Sequence, residues 1–392
     1  MIERSKVPLI RLWLAVLAGY LALGATIQEM PAFVVHRFGG GPVLSAGAVG
    51  IAFLATALGR PFAGAAADNG RARTVVILGG ILTALGGIGH LVAPAPAALL
   101  ASRLVMGAGE AALFSGALPW VLSGADPGQR GRVAGWFGLS MWGGLSVGPV
   151  LAALVDPAAG YRGVWWMVTA LALFSAALTI ATPRQADRPG TAVPWRPAEV
   201  MPAGIGLPGM VFGLSAYGYG TVSALAVLYL RSFHGGGQAA ALPLFAVAFV
   251  TTRFAGSPLV DRVGGVRVAI WSLSVEAAGL LLAGLLRTEP AILIGATLTG
   301  AGLALMYPAT VAVTLRRIRT PRPGAAVGAV TSSWDMGILA AGPIGGVLAV
   351  TAGYRAAFVL AAALGIAAAA IAGTLLRRPV RRAASPDRVE IG

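Results

Sequence analysis

Of the acids inside long apolar runs, where an ionisable group is costly and marks a functional site, three are candidates for chemistry. Glu110 closes the segment Arg103-Leu-Val-Met-Gly107-Ala-Gly109-Glu110. Seven residues are about two helical turns, so Arg103 and Glu110 share one face. Desolvation and a nearby cation act on a buried carboxyl in opposite directions. A site balanced that way can bind and release a proton; the alternative is a structural ion pair or a hydrogen-bonded glutamate. Asp335, in Ser332-Ser-Trp-Asp-Met-Gly337, is the second candidate carrier, with the same alternative. Glu29 follows Gln28 and precedes Pro31. It can greet a cationic substrate or simply face water near a membrane rim. Glu110, Asp335, Arg103 and Glu29 are therefore the proton-coupling candidates.

Flat rings suit apolar or cationic amphiphiles through stacking and cation–π contact. Trp142, Tyr217, Tyr307 and Trp334, with Gln28, are the candidates for a substrate wall. Trp120, Trp136 and Tyr219 are weaker ones, and packing or interface anchoring is the competing role for all of them. Glu276 is expected to pack or to lie at a lipid edge. His36, His90 and His234 read as residues of loops near one membrane face. The chain has no cysteine, which excludes disulfides and thiolate metal sites. No nucleophile, metal cluster or phosphate loop is evident, so an enzyme, a metal and a cofactor are not expected.

The elements that must carry these residues are membrane helices. The chain has 392 residues, 57% hydrophobic and only 11% charged, against roughly 25% charged in a soluble domain. A bilayer core needs about 20 mainly apolar residues per helix. Spans are expected near 12–35, 43–66, 74–93, 97–122, 132–155, 161–182, 206–230, 239–260, 266–286, 290–314, 324–350 and 354–376. The net charge of +15 could suggest nucleic acid. Its distribution argues otherwise. Basic residues gather at the two ends and in alternate connectors, while the intervening connectors hold only Arg37, Arg162, Arg231, Arg287 and Arg355. The positive-inside rule then puts both termini in the cytoplasm. The expected fold is an all-α membrane protein of twelve transmembrane helices in two pseudo-symmetric six-helix bundles. Residues 1–182 and 206–376 form the bundles, 183–205 a cytoplasmic linker with five prolines, and 377–392 a basic tail.

The halves are copies of each other. Arg60-Pro-Phe-Ala-Gly-Ala-Ala-Ala-Asp68 returns 193 positions later as Arg253-Phe-Ala-Gly-Ser-Pro-Leu-Val-Asp261. Gly107-Ala-Gly109 returns as Gly300-Ala-Gly302, and Gly160-Tyr161-Arg162 as Gly353-Tyr354-Arg355. A duplicated membrane chain is the signature of a secondary transporter. What fails to repeat is informative: Arg103 aligns with Ala296, Glu110 with Leu303, Glu29 with Val222, and Asp335 with Trp142 or Met141.

Gly64-Ala-Ala-Ala-Asp68-Asn-Gly70-Arg71-Ala-Arg73 resembles the helix 2–3 loop signature of the major facilitator superfamily, one residue short between Asp and Gly. Asp261-Arg-Val-Gly264 keeps the usual spacing. Gly144-Leu-Ser-Val-Gly148-Pro149 and Gly342-Pro343 resemble the motif of its antiporters. The branch resembled is that of bacterial drug/proton antiporters and arabinose-efflux-like permeases. The resemblance implies a central cavity lined by helix 4, proton coupling through the Arg-x-x-x-Gly-x-Gly pattern, and a cytoplasmic gate. A carboxylate at a helix N-terminus gains about 0.3–1 kcal/mol. If Asp68 meets the start of helix 11, and Asp261 that of helix 5, they latch the halves on the cytoplasmic side and favour the outward-open state. Arg71, Arg60 and Arg253 complete that gate. The expected function is proton-coupled efflux of small organic molecules by alternating access, in a monomer of the inner cell membrane. The alternative is a proton-coupled importer of a nutrient or siderophore-like solute. The expected partners are the substrate, protons and lipid, with no nucleic acid.

Overall fold

In the computed structural model, residues 7–125, 130–182, 205–233, 236–317 and 323–377 are described. The side chains of Asp68, Ser257, Asp261 and residues 130–132, 315–317, 323–327 and 375–377 lie outside the described atoms. So do residues 183–204 of the expected linker, the tail beyond Arg377, and His234.

The described chain is helical throughout. Its α-helices are α1 (Leu9–Phe38), α2 (Pro42–Ala66), α3 (Ala72–Val92), α4 (Pro96–Ser123), α5 (Arg130–Ile180) and α6 (Gly206–Arg231). Then come α7 (Ala241–Val263), α8 (Gly265–Leu285), α9 (Glu289–Leu303), α10 (Met306–Arg317), α11 (Pro323–Thr351) and α12 (Tyr354–Arg377). Among the described residues, eleven stretches are long and apolar enough to cross a membrane, with α5 counted once and α9 and α10 counted together. Starts are set by local chemistry. Pro42 and Pro96 fall in the first turns of α2 and α4, where a missing N–H costs nothing.

Two of the expected spans show breaks. The fifth and sixth follow each other without a loop: α5 is two helical stretches that meet at Gly160, with φ 60° and ψ −174°. That backbone region is open only to glycine, so a single residue serves as the whole connector. The tenth span divides into α9 and α10 around Ala304 and Leu305. Pro308 has no N–H to offer the carbonyl four residues earlier, which is that of Ala304.

The repeat is visible in the backbone. Gly160 and Gly353 both have positive φ, as do Gly70 and Gly264. The one-residue-short loop is absorbed as a wide turn at Ala67–Arg71, where Asn69 and Gly70 leave helical geometry. Arginines close helix ends. Arg355 donates to the Gly284 and Leu285 carbonyls at 2.8 and 3.1 Å, capping α8. Arg11 and Arg73 do the same for α5, at Ala181 (2.9 Å) and Ile180 (2.6 Å). Basic charge in the connectors therefore also ties helices together.

The first-half helix α2 meets the second-half helix α11 along a seam of small residues. A Cβ on Gly342 would fall 2.5 Å from the Ala46 carbonyl oxygen, and one on Gly346 would fall 2.9 Å from Val43 Cα. Small residues permit such contact where lipid supplies no hydrophobic drive. This seam lies at the end of the bundle that carries the 39–41 turn.

Candidate functional site

The core of the site starts from the packing of α2 on α4. The two helices run in parallel register: Arg103 lies beside Ala48 and Val49, Gly107 beside Ala52, and Glu110 beside Thr56. Gly107 makes this possible, because any Cβ there would collide with the Ala52 carbonyl oxygen. Thr56 Oγ1 has one proton to share between the carbonyls of Gly107 (3.0 Å) and Ala52 (3.1 Å), and stands 3.5 Å from Glu110 Oε2. Glu110 Oε1 takes no hydrogen bond from a described residue, and the side chain is fully buried.

Arg103 shares the face of Glu110 but does not pair with it. Its Nε and Nη2 donate to the Ala48 and Val49 carbonyls at 2.9 and 3.1 Å. The ion pair left open by the sequence is thus replaced by a staple between α4 and α2. Two turns of helix separate the groups by more than a guanidinium can span while holding those carbonyls.

The pair forms elsewhere. Arg60, one turn after Thr56 on α2, binds Asp335 of α11 through two contacts, Nε to Oδ2 and Nη2 to Oδ1, the second at 3.1 Å. Both residues are buried, at 4% and 1% exposure. The Tyr20 hydroxyl of α1 donates to the Glu110 backbone carbonyl at 3.0 Å. Glu110 lies within the electrostatic reach of both Arg60 and Asp335. Two acids and one cation therefore lie within electrostatic reach of one another where the two halves touch. The spacing of charges in the sequence holds no sign of the Arg60–Asp335 contact, since 275 residues separate the partners.

An aromatic cluster adjoins this group. Trp142 of α5 meets Trp334 of α11 edge-on at 4.5 Å between ring centroids, and meets Tyr307 of α10 at 5.4 Å. Phe212 of α6 lies 4.9 Å from Trp334, and Tyr219 stacks on the same indole at 5.7 Å. The structure brings together three of the expected wall residues, Trp142, Tyr307 and Trp334, and adds Phe212. Phe carries no polar atom, so nothing in the sequence sets Phe212 apart from a packing residue. Tyr217 is buried on α6. The Trp142 and Trp334 indole nitrogens and the Tyr217 and Tyr307 hydroxyls have no hydrogen-bond partner among the described residues. Trp136 lies apart, half-exposed against Trp13.

The remaining candidates fall elsewhere. Gln28 and Glu29 are buried on α1, and Glu29 senses Asp156 and Arg231 rather than the central group. Arg253 of α7 donates to the Ala304 carbonyl at 3.0 Å and sits 5.9 Å from the Tyr307 ring. Arg71 is exposed. The side chains of Asp68 and Asp261 lie outside the described atoms, and with them the expected latch. His90 is not a loop residue. It lies on α3, 1% exposed, with its ring 4.8 Å from that of Trp165. Glu276 is not at a lipid edge. It is fully buried and accepts from Ser215 of α6 at 2.7 Å. Among the described residues no group of three metal-ligating side chains occurs.

The arrangement is similar to known transporters over its whole length. The Major Facilitator Superfamily model matches residues 12–207 and again 208–390. An uncharacterized MFS-type transporter of Salmonella typhimurium is 31% identical over 382 residues, covering 95% of this chain and 98% of that protein. One from Burkholderia mallei is 30% identical over 379 residues, covering 93% and 91%. Among solved structures, the human organic anion transporter MFSD10 aligns with a TM-score of 0.72 at 17% identity, covering 95% of this chain and all 100% of that one. A bacterial homologue of the human lysosomal transporter Spinster, in an inward-facing and occupied conformation, gives 0.71 at 15% identity, covering 96% and 98%. At such identities these structures attest the fold alone. Two tandem matches to one family model, and relatives alike from end to end, lead to one conclusion: the chain belongs to the Major Facilitator Superfamily of membrane transporters.

Proposed function

We propose that this protein is a secondary active transporter that exports small organic molecules in exchange for protons. It works by alternating access between residues 1–182 and 206–376, as twelve spans with both termini in the cytoplasm of the inner cell membrane. In that count α5 is two spans divided at Gly160, and α9 with α10 is one. The protein acts as a monomer.

The observation that carries the reading is the Arg60–Asp335 pair, which crosses between the halves beside the incompletely bonded carboxyl of Glu110. A proton arriving at Asp335 cancels the charge that holds Arg60 to the second half. Arg60 is then drawn to Glu110 in its own half, and the halves are released to part. Glu110 gains a cation as Asp335 loses one. The substrate binds against Trp142, Phe212, Tyr307 and Trp334, whose unbonded N–H and O–H groups orient it. The α2–α11 seam at the 39–41 turn corresponds to closure toward the outside. Asp68, Arg71 and Asp261 latch the opposite, cytoplasmic face when the cycle reverses.

The test uses purified protein in lipid vesicles, an imposed pH difference and a panel of fluorescent organic dyes. Gradient-driven dye accumulation is expected, reduced at least about tenfold by Glu110→Gln or Asp335→Asn, a loss of about 1.4 kcal/mol or more of coupling. Unchanged coupled transport in the double variant defeats the proton assignment. Accumulation inside inverted vesicles marks export. Accumulation inside right-side-out vesicles marks the importer instead.

A further inference from the structure

Glu276 stands on α8 at a distance from the central pair, fully buried in the second half. Its Oε2 accepts a hydrogen bond from Ser215 Oγ of α6 at 2.7 Å. Its Oε1 lies against Gly218, one turn further along α6, and takes no hydrogen bond from a described residue. Any side chain at position 218 would occupy that space. Helix α9 closes the third side, where a Cβ on Gly302 would fall 2.5 Å from the Glu276 backbone nitrogen. Gly218 thus makes room for the carboxyl group, and Gly302 for the close approach of the backbone that carries it.

The first half has no counterpart. At the offset of 193 residues the equivalent of Glu276 is Thr83, whose hydroxyl is satisfied by its own Gly79 carbonyl at 2.9 Å. The glycine packed on its backbone is retained, since Gly109 packs on Thr83 as Gly302 packs on Glu276. The helix-packing glycine repeats, but the acid, its donor and the glycine facing it do not, since Ser215 aligns with Ala22 and Gly218 with Ala25.

No cation compensates this acid among the described residues. The charged side chains of the helices around it are Arg231 at the end of α6, Arg267 in the first turn of α8, Glu289 at the start of α9, and Arg355 at the start of α12. Arg355 is engaged with the Gly284 and Leu285 carbonyls. Tyr219, the phenol of α6 nearest the centre, stacks on Trp334. Among the described residues, Ser215 is the side chain that hydrogen-bonds the carboxyl. An ionised carboxylate with a single donor, in the core of a membrane bundle, is an uncompensated charge.

We propose that Glu276 is a second proton-binding site of this transporter, and that its bound proton, through the Ser215 hydrogen bond, sets the position of α6. With the proton in place the acid is neutral and α6 rests on α8. When the proton leaves, the charge requires water or a cation, and α6 must move to admit it. Because α6 carries Phe212 and Tyr219 into the aromatic cluster, this site acts on the substrate wall without touching substrate. The inference extends the proton-coupled reading, but its chemistry can be tested apart from transport.

Infrared spectra of the full chain in lipid vesicles should contain the C=O band of a protonated carboxylic acid at about pH 7. That band should vanish in Glu276→Gln, persist in Glu110→Gln and Asp335→Asn, and move to higher frequency in Ser215→Ala, which keeps the acid and removes its donor. Spin labels on Ser232→Cys and Leu286→Cys, at neighbouring ends of α6 and α8, report the motion in a chain with no other cysteine. Their distance distribution should shift between about pH 6 and pH 8, and should not shift when Glu276→Gln is added. A C=O region identical in wild type and Glu276→Gln overturns the proposal, as does a Ser215→Ala band that stays in place. Superposed distance distributions at the two pH values overturn the coupling to α6. If instead the band is lost in Glu110→Gln or Asp335→Asn, the proton belongs to the central pair.

Discussion

Arg253 donates through Nη1 to the carbonyl oxygen of Ala304 at 3.0 Å, and that carbonyl is the one Pro308 leaves without a helical partner. Its repeat mate Arg60 meets no such carbonyl. The equivalent of Pro308 in the first half is Ser115, and α4 runs through unbroken. Arg60 turns to the other half and binds Asp335 instead. One proline separates two uses of the same arginine.

A double-variant cycle on this relationship follows directly. Arg253→Met leaves the Ala304 carbonyl buried and unbonded and should destabilise the protein by about 1–3 kcal/mol. Pro308→Ala restores an N–H to that carbonyl, so the loss at Arg253 should be smaller in its presence. The coupling read from denaturant unfolding in detergent should be about 0.5–3 kcal/mol. Strict additivity would mean that the carbonyl is not the link.

For the central pair, Asp335→Asn leaves the Arg60 guanidinium buried without its carboxylate, and a cost of about 3–5 kcal/mol is expected. Asp335→Leu with Arg60→Met removes both charges and should recover most of it. Thermal unfolding of the three proteins checks the order. A double variant no more stable than the single one would show that the pair is not a closed electrostatic unit.

The α2–α11 seam can be wedged open. Gly342→Val drives a side chain into the Ala46 carbonyl, and overpacking of this kind costs about 1–3 kcal/mol. Gly47→Val, on the same helix as Ala46 but with no atom within 4 Å of its added Cβ, should be tolerated. Thermal unfolding and transport of the two variants check this, and a Gly342→Val protein as stable and active as Gly47→Val would show that the seam is not a close contact in the membrane.

At the α2–α4 crossing, Gly107→Val drives a side chain into the Ala52 carbonyl. Overpacking of this kind costs about 1–3 kcal/mol, and it should also part Thr56 from Glu110. Transport should fall more than stability predicts, with Gly107→Ala intermediate. A fully active Gly107→Val protein would show that the crossing tolerates separation.

The sequence by itself determined the apolar runs, the duplication and the acids worth watching. These are local or periodic properties: a run long enough to span lipid, a motif returning at one offset, a charge where water is absent. The repeated glycines were legible for the same reason, because positive φ at Gly160 and Gly353 is a demand of one residue on its own backbone. Partnership was not legible. Arg103 and Glu110 share a face by spacing, yet Arg103 spends its donors on α2 carbonyls. Arg60 finds Asp335 across 275 residues, and Glu276 finds Ser215 across 61. A hydrogen bond depends on which helix packs against which and how closely, and small residues such as Gly107 and Gly218 set that distance. The chain therefore lists its charges in order along one dimension, while the packing of its helices decides which of them meet.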